Sequence, residues 1–174
     1  GAAVIKVGTG EVLALASYPS FDLSTFAQSY NELLEDERLP MFNRAVNGTY
    51  APGSTFKPVT AIAALETGII TPKSTILTKG VYHYGDWAYK CWLYNQNGGT
   101  HGRIDVTEAI KVSCNYFFYD IGRRTGISTI ARYASAFGLG EPTGIEIPEK
   151  IGVMTTPDYV NSLDGHYWTD GQTL

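Results

Sequence analysis

Cysteine is scarce in this 174-residue chain: Cys91 and Cys114 are the full complement. Two cysteines outside any CxxC spacing make no disulfide framework, and they leave the redox compartment open. Positive charge is also thin. Thirteen Lys and Arg stand against seventeen Asp and Glu, the formal net charge is −4, and no basic cluster occurs. That excludes the electrostatic footprint nucleic-acid binding requires, so no nucleic acid is expected as a partner. Long apolar runs are missing as well. The longest, Val59 to Ile70, is interrupted by Thr60, Glu66, Thr67 and Gly68, and it falls short of the roughly 20 residues that cross a bilayer. No leader pattern precedes Gly1, and the chain opens directly on the apolar run Ala2 to Val7, as if cut at the edge of a structural element. The expectation is that N-terminal parts are absent. Internal repeats and low-complexity segments are not found.

What is present describes a globular protein. Hydrophobic residues make up 44% and charged residues 17%, and a chain of this length buries about 70% of the surface its unfolded form exposes. One compact domain over residues 1–174 is expected. Ala2 to Lys6 and Glu11 to Ser17 are strand-like runs joined through Gly8-Thr9-Gly10, the chemistry of a hairpin. Leu23 to Leu34 has apolar residues at helical spacing with weak caps. After Ala51-Pro52-Gly53 a long helix is expected over Ser54 to Thr67, ending near Gly68. Ile76 to Trp92 reads as irregular or strand-like, closing in a loop at Asn95 to Gly99. Asp105 with Glu108 resembles a capping box for a short helix running to about Ser113. Further helices are expected over Tyr116 to Arg124 and Ser128 to Phe137, stopped by Gly126 and Gly138. A hairpin followed by helices is an α+β order. The tail from Asp164 to Leu174 is uncapped and reads as unfinished.

A serine hydroxyl becomes a useful nucleophile when a neighbouring base accepts its proton, and a lysine three positions later on a helix lies on the same face. Ser54 and Lys57 have that spacing. At a helix N-terminus the backbone N–H groups and the helix dipole favour the negative charge that develops in acyl transfer, so the position brings half of an oxyanion hole. Lys57 must then be partly neutral, which burial can achieve by lowering a lysine pKa to about 7–8. A lone SxxK has a plainer meaning, a capping serine beside a solvated lysine. Ser113 and Asn115 taken alone are residues that favour a helix junction. Asp86, Cys91 and His101 are zinc-binding residue types, but their spacing matches no recognised ligand pattern; no metal and no cofactor is expected. The aromatic run Tyr82, Tyr84, Trp87, Tyr89, Trp92 and Tyr94 reads as packing. His83 and His166 have no nucleophile near them in sequence, which leaves a Ser-His-Asp triad to unseen tertiary contact.

The motifs do not stand alone. Tyr50-Ala51-Pro52-Gly53-Ser54-Thr55-Phe56-Lys57-Pro58 resembles, almost letter for letter, the nucleophile segment of class B penicillin-binding proteins. The opening Gly1 to Ser20 and the stretch Asn43-Arg44-Ala45 are similar to segments that precede that nucleophile. Ser113-Cys114-Asn115 looks like the SxN motif of the family, and Tyr133 to Glu146 is also similar to it. The resemblance implies the α+β fold of penicillin-binding proteins and serine β-lactamases, an antiparallel sheet with a mostly helical lobe, in which the hairpin sheet backs the Ser54 helix. It implies Ser54 as nucleophile, Lys57 as base, Ser113 as proton relay and Asn115 as the hydrogen-bonding partner of the bound peptide or β-lactam amide. The implied reaction is cross-linking of D-Ala-D-Ala stem peptides through an acyl-enzyme, with β-lactams trapped on the same serine. The implied place is the extracytoplasmic face of the bacterial cytoplasmic membrane, beside a membrane-embedded glycan polymerase. The third family motif, Lys-Thr-Gly or Lys-Ser-Gly, is not found before Leu174. The domain is therefore expected to be partial and to lack its C-terminal part. A serine β-lactamase or D,D-carboxypeptidase is the alternative within the chemistry, and a non-catalytic β-lactam sensor the alternative outside it. Class D β-lactamases usually carry valine where Asn115 stands.

Overall fold

The computed structural model describes residues 1–163 and 165–173. They fall into two compact units, Gly1–Tyr50 with Glu141–Gly152, and Ala51–Gly140 with Val153–Leu174. The strands pair in three separate two-stranded antiparallel sheets, and helices with their 3-10 turns make up about half of the second unit.

In the first unit, β1 (Ala2–Ile5) pairs with β2 (Val12–Ala16), with a bulge between Val4 and Ile5. The expected hairpin is there, and its turn is closed by Lys6 N–H donating to Glu11 O at 2.8 Å. Gly8 and Gly10 both sit at positive φ, 88° and 76°, which is why the loop is built on glycine. The expected helix begins as a 3-10 turn over Leu23–Thr25 and continues as α1 (Phe26–Glu35). Its start is better capped than the sequence suggests: Asp22 Oδ1 accepts from Ser24 N–H at 2.8 Å.

The second unit carries the candidate chemistry. A 3-10 turn, Gly53–Phe56, runs directly into α2 (Lys57–Glu66), so the expected single helix divides in two at Lys57. Pro58 fits the first turn because no intrahelical N–H partner is needed there. The buried face of α2 is made of Thr60, Ala61, Ala63 and Ala64. Such small side chains let α5 (Asn115–Thr125) approach closely and seat Phe117 and Ile121, both fully buried, against the core. Each of these side chains contributes about 1.5–3 kcal/mol by leaving water. Within this unit the Ser54 helix is thus backed by helices, α5 and α6 (Ile127–Ala136).

Between α2 and α5 in sequence lie two short sheets. β3 (Ile76–Thr78) pairs with β6 (Gly102–Ile104), and β4 (Val81–Tyr84) pairs with β5 (Trp87–Lys90) across a Gly85-Asp86 turn. The stretch read as a loop from Asn95 contains a short helix, α3 (Trp92–Asn97), closed by Gly98 at φ 73°. Its Asn and Gln content hides it, because those residues bring no apolar period and Asn has weak helix propensity. α4 (Val106–Lys111) is capped as expected: Asp105 Oδ1 accepts from Glu108 N–H at 2.9 Å. The other half of the box is not made, since Glu108 pairs with Lys111 at 3.1 Å instead. α7 (Pro157–Asn161) and a 3-10 turn, Asp170–Thr173, follow. The two ends of the tail read as unfinished, Asp164 and Leu174, lie outside the described residues.

Candidate active site

The chain enters the site through Pro52-Gly53. Gly53 has φ 55°, a conformation that L side chains resist, and a Cβ there would meet no atom within 4 Å. The constraint is therefore in the backbone rather than in space. Thr55 pins the turn by donating from Oγ1 to Pro52 O at 2.6 Å. Ser54 stands in the first turn of the helix, where Thr55 N–H already donates to Pro52 O at 3.3 Å. Three residues on, Lys57 opens α2 and returns its Nζ to 3.0 Å from Ser54 Oγ.

Ser113 and Asn115 arrive from the junction of α4 and α5. Ser113 N–H donates to Ile110 O at 3.1 Å and Cys114 N–H donates to Ala109 O at 2.9 Å. These two bonds are the 5→2 and 6→1 closures of a Schellman turn, whose left-handed position usually belongs to glycine. Here it is serine, with φ 50°. A non-glycine residue in that region stores about 1–2 kcal/mol. The strain turns the Ser113 side chain and carbonyl toward Lys57, whose Nζ donates to Ser113 O at 2.9 Å and to Ser113 Oγ at 2.7 Å. Lys57 also donates to Asn115 Oδ1 at 2.7 Å, and Ser113 Oγ donates to Ser54 Oγ at 2.9 Å. All four residues singled out in the sequence thus converge on one amine.

The proton count around that amine is informative. Lys57 Nζ has four oxygen neighbours and an ammonium has three protons. Two neighbours, Ser113 O and Asn115 Oδ1, can only accept. The other two are hydroxyls, which can also donate. An ammonium has protons for the donations to Ser113 O, Ser113 Oγ and Asn115 Oδ1, and the neutral amine left when one proton departs keeps two N–H groups for the carbonyl oxygens and a lone pair for a hydroxyl proton. Burial favours the neutral form, pushing the Lys57 pKa below the usual lysine value, and the nearby Cys91 and Cys114 thiols oppose it more weakly. The Phe118 ring, 5.6 Å from Nζ, forms part of the apolar wall. Burial raises the Tyr119 pKa, and the neighbouring Asn115 side chain opposes that shift more weakly. A cleft of about 550 Å³ opens over Ser54, Lys57, Asn115 and Tyr119.

Behind the Ser113 turn the core contains a second cluster. Cys91, His101 and Cys114 bring their donor atoms within 4.8 Å of one another, with Cys91 Sγ 3.8 Å from His101 Nδ1. Two thiols and an imidazole are a zinc-type donor set. Burial pushes the Cys114 thiol up to about 11, and it depresses the His101 pKa so that the ring stays neutral. His101 Nε2 is buried without a protein partner among the described residues. These residues fit a thiophilic cation. The sequence alone groups Cys91 and His101 with Asp86; in the structure Asp86 sits in the β4–β5 turn, and Cys114 takes the third place. Sequence reasoning also passes over Tyr119, and it reads Trp92 as packing. Trp92 donates from Nε1 to Val112 O at 3.0 Å, next to Ser113. The missing signal is tertiary: twenty residues separate that donor from its acceptor. Neither His83 nor His166 joins the hydrogen bonds around Ser54 Oγ, which come from Lys57 and Ser113.

Comparison with known proteins gives a consistent picture. The family model described as the penicillin binding protein transpeptidase domain matches residues 1–173. The chain is 37% identical over 178 residues to the peptidoglycan D,D-transpeptidase MrdA of Salmonella typhimurium, covering 95% of this chain and 27% of that protein. With PbpA of Mycolicibacterium smegmatis the identity is 32% over 169 residues, covering 91% of this chain and 34% of that protein. The chain thus spans about a quarter to a third of the length of these curated relatives. Among solved structures, Pseudomonas aeruginosa PBP2 in complex with WCK 5153 superposes with a TM-score of 0.88 at 32% identity, over 98% of this chain and 40% of that one. PBP2 of Helicobacter pylori in complex with MreC gives 0.90 at 28% identity, over 99% and 32%.

Proposed function

Because the chain belongs to the penicillin-binding protein transpeptidase family, we propose that it is part of a peptidoglycan D,D-transpeptidase in which Ser54 is the nucleophile, Lys57 the base, Ser113 the relay and Asn115 the substrate-amide partner. Neutral Lys57 takes the Ser54 proton as Oγ bonds to the carbonyl carbon of the penultimate D-Ala. The oxyanion develops against the first-turn N–H groups. On collapse the C–N bond breaks, and the leaving D-Ala nitrogen receives a proton from Lys57 through the Ser113 hydroxyl. In the second half an amine of a neighbouring stem peptide attacks the ester, giving its proton back along the same path while Ser54 regains its own. A β-lactam offers the same carbonyl, but its leaving nitrogen stays tethered, so the acyl-enzyme persists.

The observation that carries this reading is the closed triangle of Ser54 Oγ, Lys57 Nζ and Ser113 Oγ, with sides of 3.0, 2.7 and 2.9 Å. The test is intact-mass analysis after exposure to a penicillin. A single adduct is expected, absent in Ser54→Ala; no adduct on the intact protein would overturn the assignment. An adduct that disappears within minutes would favour the β-lactamase alternative. On this reading the reaction runs outside the cytoplasmic membrane, in the company of a glycan polymerase. One solved relative, 37% identical to this chain, belongs to a peptidoglycan synthase complex that coordinates polymerization and crosslinking, and it supports that company. Among the described residues no helix is long and apolar enough to cross a membrane.

A second, structural role rests on the donor cluster. A zinc ion held by Cys91, His101 and Cys114 would tie α3, the strand β6 region and the Ser113 turn together, with a fourth ligand from outside the three. Elemental analysis of protein produced with zinc should find close to one ion per chain, reduced severalfold in Cys114→Ser. Metal-free wild-type protein with zinc in supply would sink this role.

A further inference from the structure

The turn that presents Ser113 is held by more than its helix. Two peptide planes flank this residue, and their orientation sets its φ and ψ. The plane after it is fixed at both ends: Ser113 O accepts from Lys57 Nζ at 2.9 Å, and Cys114 N–H donates to Ala109 O at 2.9 Å. The plane before it is also fixed at both ends. Ser113 N–H donates to Ile110 O at 3.1 Å, and Val112 O accepts from Trp92 Nε1 at 3.0 Å. Three of these four restraints belong to the Schellman turn or to the proposed base. The fourth comes from a distant element, and it bears on the plane that governs the strained φ of 50°.

Trp92 is built to be a fixed donor. It is the first residue of α3, directly after Cys91, which is 1% exposed and whose N–H donates to Gly80 O at 2.8 Å. Its indole rests against the His101 ring at 5.5 Å between centroids. The backbone before it is thus anchored and the indole has one ring neighbour, while the residue stays 42% exposed and its N–H donates to Val112 O. Lys57, which holds the Ser113 carbonyl, gains and loses a proton during acyl transfer. The Trp92 bond takes no part in proton transfer.

We propose that Trp92 is a positioning residue, whose indole N–H keeps the Val112–Ser113 peptide in the strained orientation that aims the Ser113 hydroxyl at Ser54 and Lys57. The inference rests on the role assigned above to Ser113. Two substitutions separate donor from bulk. Trp92→Phe keeps an aromatic ring and removes the N–H. Trp92→His keeps a ring N–H at the position of the indole nitrogen, because the imidazole overlays the five-membered ring of tryptophan, and removes the benzo ring.

The measurement is penicillin acylation of the intact protein, resolved into the rate at saturation and the half-saturating concentration, with Trp87→Phe as a control on the other side of Cys91. The saturating rate of Trp92→Phe should fall roughly threefold to tenfold, as expected for one hydrogen bond. Half-saturation should stay within about twofold, and Trp92→His should retain most of the rate. Equal rates for wild type and Trp92→Phe would overturn the inference, as would a Trp92→His protein impaired as much as Trp92→Phe, since bulk and not the donor would then matter. Amide exchange provides an arm that does not depend on Ser54 reacting. The Ser113 and Cys114 amides should exchange faster in Trp92→Phe than in wild type, and unchanged protection refutes the clamp. If wild type exchanges as expected but never acylates, it is the Ser54 assignment that fails.

Discussion

Replacing Ser113 by glycine should make the protein more stable than replacing it by alanine, although both remove the same hydroxyl. The reason lies in φ 50° at a Schellman turn. Alanine inherits the left-handed strain, about 1–2 kcal/mol, and glycine does not. Against this, glycine costs about 0.4–1 kcal/mol through the greater freedom of its unfolded chain. Both variants lose the Lys57 and Ser54 hydrogen bonds of the hydroxyl equally, so those losses cancel in the comparison. The difference should be about 0.5–1 kcal/mol in favour of glycine, or a melting midpoint higher by about 2 °C for a protein unit of this size. Urea melts of the two variants, followed by a probe in α5, would measure it. Acylation should fall by about 10²–10⁴ in both if Ser113 relays the proton. An alanine variant as stable as the glycine variant would refute the argument that the turn is strained by its side chain.

Two other expectations follow from the same site. Because burial lowers the Lys57 pKa, acylation should rise with pH through a midpoint below the ordinary lysine value near 10.4, and a pH–rate profile checks this. The linked stability has the same sign: the folded state holds fewer protons than the unfolded one between the lowered pKa and the ordinary one, so stability rises with pH across that window. A midpoint at or above about 10.4 would argue against a Lys57 base lowered by burial. Gly53→Ala should destabilise by about 1 kcal/mol through its φ of 55° alone, since no atom lies within 4 Å of the added methyl. A denaturant melt measures the loss, and a loss of several kcal/mol would instead point to a clash.

Ser54 and Lys57 are legible because their relation is local: a spacing of three on one helix face is written in the sequence. The hairpin at Gly8-Thr9-Gly10 is legible for the same reason. Ser113 and Asn115 are not legible from physics, and only likeness to a family singles them out. Their placement depends on a serine occupying a glycine position, and nothing in the letters Ser-Cys-Asn announces a left-handed turn. Cys114 escapes for a related reason: it joins Cys91 and His101 through the packing of α4 and α5, not through any regular spacing. Trp92 reads as one more aromatic in an aromatic stretch, because a hydrogen-bond partner twenty residues away leaves no local trace.

The hairpin of β1 and β2 has its own consequence. All nine residues of the two strands are exposed, Ile5 at 57% and Leu13 at 61% among them, and among the described residues neither strand has a second neighbour. Two free backbone edges lined with valine, leucine and isoleucine are a template for strand addition. A solution of these residues alone should therefore self-associate as its concentration rises, and a charged residue placed at Leu13 should raise its solubility without touching the acylation chemistry.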